Sequence, residues 1–192
     1  MKALLNQPVF AVGYIHVLLR EGMKIRQATN EDIPKIQCLY QQLDEHHVNL
    51  LPDIFQSVEG DARPDSLIEQ WIANKDADYL IAELGGEIVG FINVQKSSHP
   101  KYPGFRPHDF AMIENAVVDK VQRGKGIGRA LFQAAVSWAN DRDLRYIQVT
   151  VWNENSGARE FYLDQGFRPL TIKMELDTEK NAEQENSLDP QS

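Results

Sequence analysis

Residues 113–132 read IENAVVDKVQRGKGIGRALF, and three cations there, Arg123, Lys125 and Arg129, alternate with Gly124, Gly126 and Gly128. The run sits between a β-branched stretch and an apolar stretch of helical spacing. A loop passing from a strand into a helix aims backbone N–H groups and the positive end of the helix dipole at one spot. Glycines let a ligand reach the backbone and cations neutralise it, so the pattern fits a phosphate site, and a pyrophosphate best. A tight turn with solvated charges is the plainer alternative.

Two common phosphate loops do not fit. A nucleoside-triphosphate loop needs G-x-x-x-x-G-K followed by Ser or Thr, whereas Gly126 follows Lys125 and no hydroxyl residue opens the helix to hold magnesium. The dinucleotide fingerprint G-x-G-x-x-G is also missed, because Gly124, Gly126 and Gly128 are evenly spaced and Leu131 is not a glycine. A dinucleotide-dependent oxidoreductase is therefore the third-ranked reading.

Other reactive residue types are sparse. Adjacent His46 and His47 point to different sides of a helix and make a poor metal pair; solvated histidines are the simpler expectation. His99 and His108 fall in a Pro-rich loop where they could touch substrate, but no ligand spacing supports a metal. Trp71, Trp138 and Trp152 read as core or cofactor-edge packing. The single cysteine, Cys38, cannot close an intramolecular disulfide, which fits a reducing cytoplasm.

The elements that must position the glycine loop follow from periodicity. Residues 23–28 alternate as a strand; Thr29 caps a first helix that should end near His47; residues 65–74 form a short second helix. Two strands flank Gly85 and Gly86, a hairpin signal because both positions can take positive φ. Residues 96–110 contain three prolines and read as irregular. Residues 111–118 are a strand, and Ile127, Ala130, Leu131, Ala134, Ala135 and Trp138 trace one helical face. A strand over 146–152, a helix over 156–165 stopped by Gly166, and a last strand over 168–176 complete a mixed α/β domain whose sheet joins an antiparallel meander to a parallel crossover.

The bulk composition sets bounds. Apolar residues make up 42% and charged residues 25%, ordinary globular values, and 192 residues suit one domain. The net charge of −8 argues against broad nucleic-acid binding, which needs a basic surface. Asn6, Gln7, Pro8, Gly13 and His16 interrupt the apolar start, so no membrane span is expected, and LLREG stands where a secretory signal would carry small residues. Residues 1–22 form an extension that could cover a sheet edge or make a homodimer contact, with Met23 an alternative start. Residues 23–176 form the domain, and the polar, acidic residues 177–192 are expected to be disordered.

With these residues assembled, the chain resembles the GNAT superfamily of N-acetyltransferases. Arg123, Gly126 and Gly128 match its acetyl-CoA loop [RQ]-x-x-G-x-[GA], between the expected strand and helix. NSGAREFYLDQGF supplies a second feature, Asn155, Ala158, Tyr162, Gly166 and Phe167 at the family spacing. The resemblance implies a twisted mixed sheet flanked by helices, with acetyl-CoA in the splay between the strand before the loop and the parallel strand after its helix. Val117 and Val118 would offer main-chain hydrogen bonds to pantetheine. The amides of Arg123, Gly124, Lys125, Gly126, Ile127 and Gly128 would hold the pyrophosphate, with Arg129 completing the cationic set and Asn155 on the pantetheine side.

The resemblance implies acetyl transfer to a primary amine by direct attack in a ternary complex, without a metal. Tyr162 occupies the position of a general acid to the thiolate; packing beside Phe161 is its plainer role. Glu114, on the strand flanking the acetyl group, is the candidate base, with a solvent-facing carboxylate as the alternative and Glu45 and Asp109 as substitutes. The acceptor is expected to be a small-molecule amine rather than a protein amino group, with residues 44–63 and 96–110 walling its pocket. A module that binds acyl-CoA without turning it over is the second-ranked reading.

Overall fold

The computed structural model describes residues 22–60, 63–100, 102–104 and 106–178. Nearly all of the N-terminal extension and the tail beyond residue 178 lie outside the described residues. The chain forms two compact units that meet between Glu154 and Asn155.

In the first unit, β1 (Met23–Gln27), α1 (Ile33–Leu50), α2 (Asp65–Ile72), β2 (Ala77–Leu84), β3 (Glu87–Ser98), β4 (Asp109–Val118), α3 (Ile127–Asn140) and β5 (Ile147–Val149) follow in order. The sheet order is β1-β2-β3-β4-β5. The first three pairings are antiparallel and β4 with β5 is parallel, the mixed sheet expected from the sequence. Gly85 and Gly86 take φ of 60° and 89° and close the β2–β3 hairpin in two residues, as a primed turn requires.

The two faces of β3 divide the packing. Phe91 joins Tyr79, Ile81 and Val117 of neighbouring strands in a core with Ile33, Ile36, Leu39 and Tyr40 of α1 and Ile68 of α2. On the opposite face, a side chain at position 90 would meet Leu131 of α3, and Ile127, Ala130, Leu131, Ala135 and Trp138 are the buried stripe that the helical spacing marked out.

Several element ends differ from expectation. β3 and β4 extend into the segment read as irregular, pairing Lys96 with Ala111 and Ser98 with Asp109. An ion pair of 2.7 Å between Lys96 and Asp109 fastens that end, so the Pro-rich loop shrinks to residues 99–108. β5 keeps only three of its seven expected residues, because β4 offers it partners only at Ala111, Met112 and Ile113.

The second unit contains α4 (Ser156–Asp164). The strand expected over 168–176 is absent; those residues form neither helix nor strand, and Leu170, Ile172, Met174 and Leu176 are exposed. Alternation describes how a strand would face a core, but the ladder needs a partner, and the unit holds no other strand among its described residues.

The entry to α1 is tied to the sheet by Asp32. Its carboxylate accepts two bonds from Arg26, at 2.7 and 2.9 Å, and one from the Thr29 amide at 2.7 Å, while Arg26 also donates to Glu83 of β2 at 3.1 Å. The Arg26 hydrogen bond first, then the Thr29 amide, hold the Asp32 carboxyl down to about 2 against the opposing effect of burial. A depressed carboxylate stabilises the fold above its unfolded pKa, near 3.8, and this contribution is lost as pH falls towards 2. Asp32→Ala is expected to cost about 1.5–3 kcal/mol at pH 7 by urea titration and to flatten the stability loss between roughly pH 4 and 2; an unchanged acid limb would refute the assignment.

Candidate functional site

The site begins where β4 and β5 part. Their ladder ends at Ile113 with Val149, so residues 114–118 of β4 pair with β3 on one side and with no described strand on the other. This leaves about 13 Å of outward-facing backbone N–H and C=O groups, a template for anything extended that carries amides. Val117 and Val118 lie on it. The Val118 carbonyl is engaged by Arg123 Nε at 3.1 Å.

The free edge leads directly into the glycine loop. Asp119 caps a single 3₁₀ turn over Lys120–Gln122 by accepting from the Val121 amide at 3.0 Å. Lys125 Nζ then closes back onto the Val121 carbonyl at 3.1 Å and Gln122 Oε1 at 2.7 Å. The chain enters α3 through Gly126, with φ 83° and ψ 0° and no side-chain cap. The first helical bond runs from the Ala130 amide to the Gly126 carbonyl at 3.1 Å. The amides of Ile127, Gly128 and Arg129 therefore precede the helix ladder, and no acidic residue stands in the first turn. An anion fits this end by both donor geometry and dipole.

A bulge in β4 sets what faces the gap. Asn93 pairs with Asn115 and Val94 with Ile113, which leaves Glu114 as the extra residue. Asn115 shares the α1 face with its partner Asn93, and Glu114 meets Gln95 of that same face, accepting from its Nε2 at 2.6 Å. Two consecutive residues beside the free edge thus turn to one side. Glu114 is exposed. Asn93 is fully buried with neither amide atom partnered among the described residues.

α1 crosses this end of the sheet. Gln42 accepts from the Lys120 amide at 3.0 Å and reaches Asp119 Oδ2 at 3.4 Å. His47 contradicts the expectation of a solvated histidine: it is half-buried and stacks on Phe55, with centroids 4.8 Å apart and planes at 18°. Burial, aided by His46 and Arg63 and opposed by Asp44, lowers its pKa, so the ring is neutral at pH 7. His99 and His108 stack edge-on at 4.6 Å. No cluster of three metal-capable side chains occurs among the described residues, and no described helix is long and apolar enough to cross a membrane.

In the second unit, the Asn155-to-Phe167 run is a helix with both ends fixed. Asn155 Oδ1 accepts from the Ala158 amide at 3.1 Å, an N-cap. At the other end Gly166, with φ 91°, donates to the Leu163 carbonyl at 2.9 Å and Phe167 donates to Tyr162 at 3.0 Å. That pair of bonds is a Schellman cap, and its usual apolar contact is here Phe167 on Tyr162, with centroids 5.2 Å apart. The motif spacing has a mechanical reading: Gly166 lets the chain turn back so that Phe167 braces the phenol from one side and Phe161, at 5.1 Å, from another. Burial pushes the Tyr162 phenol up to about 12.

A parted parallel pair of strands with an anion-ready helix start at its mouth has room and donors for an extended ligand that carries phosphate. Residues 45–167 match the model of the acetyltransferase (GNAT) family, and the chain belongs to that family. An uncharacterised N-acetyltransferase of Methanocaldococcus jannaschii is 33% identical over 112 residues, covering 54% of this chain and 45% of that protein. A putative ribosomal protein bS18 alanine N-acetyltransferase of Bacillus subtilis is 27% identical over 109 residues, covering 57% and 66%. The chain thus spans about half to two thirds of the length of these curated relatives. Among solved structures, a mutant of the BH1408 protein from Bacillus halodurans superposes with a TM-score of 0.77 at 28% identity, covering 80% of this chain and 98% of that one. An aminoglycoside N-acetyltransferase solved with CoA shares the fold at a TM-score of 0.62 and 18% identity, covering 81% and 93%.

Gly126→Ala would force a side chain into a left-handed backbone at a strain of about 1–2 kcal/mol. Calorimetry is expected to show coenzyme A affinity falling about tenfold, with the melting temperature little changed. Asn155→Ala should instead lower stability by about 1 kcal/mol through loss of the cap, read by urea titration.

Proposed function

We propose that this protein transfers the acetyl group of acetyl-CoA to a primary amine of a small molecule by direct attack in a ternary complex. The observation that carries the reading is the free edge of β4, residues 114–118, running into a helix start whose first amides are unspent. An extended amide-bearing arm lies along the edge, and its diphosphate is held by the amides from Arg123 to Gly128 and by the cations Lys125 and Arg129.

The chemistry asks for two groups. On the order of one alkylamine in a thousand is unprotonated at neutral pH, so a base near the acetyl carbon must take a proton. Glu114 serves, oriented by Gln95 and turned towards the α1 face by the bulge; exposure lets it hand the proton to solvent. At the sulfur, the resemblance assigns Tyr162. A phenol raised to about 12 is a weaker acid than a thiol near about 8.5, so full proton transfer to the leaving sulfur is uphill by about 5 kcal/mol. Tyr162 therefore works as a hydrogen-bond donor that remains protonated across the physiological range, and the sulfur is stabilised without needing its proton.

Purified protein is expected to release free thiol from acetyl-CoA in the presence of small amines and to give heat with coenzyme A in calorimetry. Tyr162→Phe should lower kcat at least tenfold with coenzyme A affinity retained, and Glu114→Gln should lower kcat about a hundredfold. Coenzyme A binding without turnover of any amine would favour the non-catalytic module, and full activity of Tyr162→Phe would remove the phenol from the reaction.

A further inference from the structure

Three rings from three stretches of the first unit meet just past the end of β5. His47, near the end of α1, lies flat on Phe55. Phe55 in turn meets Trp152 edge to face, with centroids 5.3 Å apart and planes at 83°. Trp152 follows β5, which ends at Val149. Five residues before His47, on the same helix, Gln42 is bonded to Asp119 and Lys120, where the chain leaves β4. α1 is thus fastened to the exit of one parted strand and, about one and a half turns later, to the exit of the other. The interval it spans is the mouth of the gap between β4 and β5.

As simple core packing this trio is poorly made. Trp152 remains 37% exposed, and Ile54 and Val58, on either side of Phe55 in the chain, are 51% and 58% exposed. Apolar surface of this kind beside a gap is a common mark of a ligand wall. Its two ring planes stand nearly perpendicular, which makes a corner that a flat body fills better than a branched or puckered one.

Charge selects further. Residues 45–60 carry Glu45, Asp53 and Glu59 and no Lys or Arg, and Glu154 stands two residues after Trp152; Arg63, whose charge reaches His47, is paired with Asp44 at 2.7 and 3.0 Å. The cations of the site, Arg123, Lys125 and Arg129, belong to the glycine loop, where a diphosphate would neutralise them. With Arg63 already paired, the exposed ring faces of this wall favour an ammonium group over an anion.

On the transferase reading above, we infer that His47, Phe55 and Trp152 wall the acceptor subsite, and that its substrate is a primary amine carried on a flat aromatic body by a short linker. The ammonium lies towards the acidic mouth and the ring in the corner of Phe55 and Trp152. His47 backs Phe55 as a neutral imidazole.

The test compares 2-phenylethylamine, butylamine, glucosamine and a short Ala-starting peptide as acceptors for the full chain at saturating acetyl-CoA. The expected result is a kcat/KM for 2-phenylethylamine at least tenfold above butylamine and above the other two, with Phe55→Leu and Trp152→Leu collapsing that ratio through KM. Coenzyme A affinity of the variants reports that they are folded. Direct binding of 2-phenylethylamine, followed by ligand-observed NMR, is expected in the wild type and lost in Trp152→Leu. Equal use of butylamine, preference for glucosamine or the peptide, or retention of the ratio in both variants would overturn the aromatic subsite. Amine binding that survives without any coenzyme A heat would uphold the subsite and sink the transferase reading; turnover of other amines with no 2-phenylethylamine binding would do the reverse.

Discussion

The organising constraint is that β4 keeps its parallel partner for only three residues and then loses it. Backbone donors and acceptors at the centre of a sheet are expensive to leave unused, and most proteins place such an edge at the margin, shield it or blunt it. Here the edge is interior to the sheet order, since β5 still lies beyond β4. The remaining features answer to that gap: the bulge that turns Glu114 and Asn115 to one side, the glycine loop at its mouth, and α1 bridging the two strand exits.

Charge and polarity are divided across the same gap. The loop contributes cations and open amides on one side, while the segments after α1 and after β5 contribute rings and carboxylates on the other. The proposed transfer, from an anionic cofactor to a cationic acceptor, would use that division, because each partner would be drawn to its own end and repelled from the other's. The free edge between them is neutral backbone, which holds geometry without favouring either charge.

Much of this was legible in the sequence. The glycine and cation spacing marked the loop, the apolar stripe from Ile127 to Trp138 marked the helix behind it, and the Asn155-to-Phe167 spacing marked a capped helix around Tyr162. These signals are local, and local periodicity reports them faithfully. The illegible parts depend on partners distant in the chain. β5 shortened because β4 stopped offering bonds, and residues 168–176 alternate like a strand yet join no ladder among the described residues. Adjacency made His46 and His47 look like two solvated side chains; only the return of the chain at Phe55 shows that one of them is packed. Nothing in the residues around Phe55 and Trp152 signals that they meet, since nearly a hundred positions separate them.

The bulge at Glu114 is absorbed without disturbing the strand on either side. Before it, Ile113 lies opposite Val94, on the side of the sheet that faces α3; after it, Asn115 and Val117 lie opposite Asn93 and Phe91, on the side that faces α1. Taking Glu114 out would make Ile113 and Asn115 consecutive, and their partners Val94 and Asn93 are consecutive already, so both flanks would keep their register in an unbroken pleat. The carboxylate is thus carried on a surplus residue that the core does not depend on, and a one-codon deletion would erase it while leaving Val117 opposite Phe91 and every motif in the sequence readable.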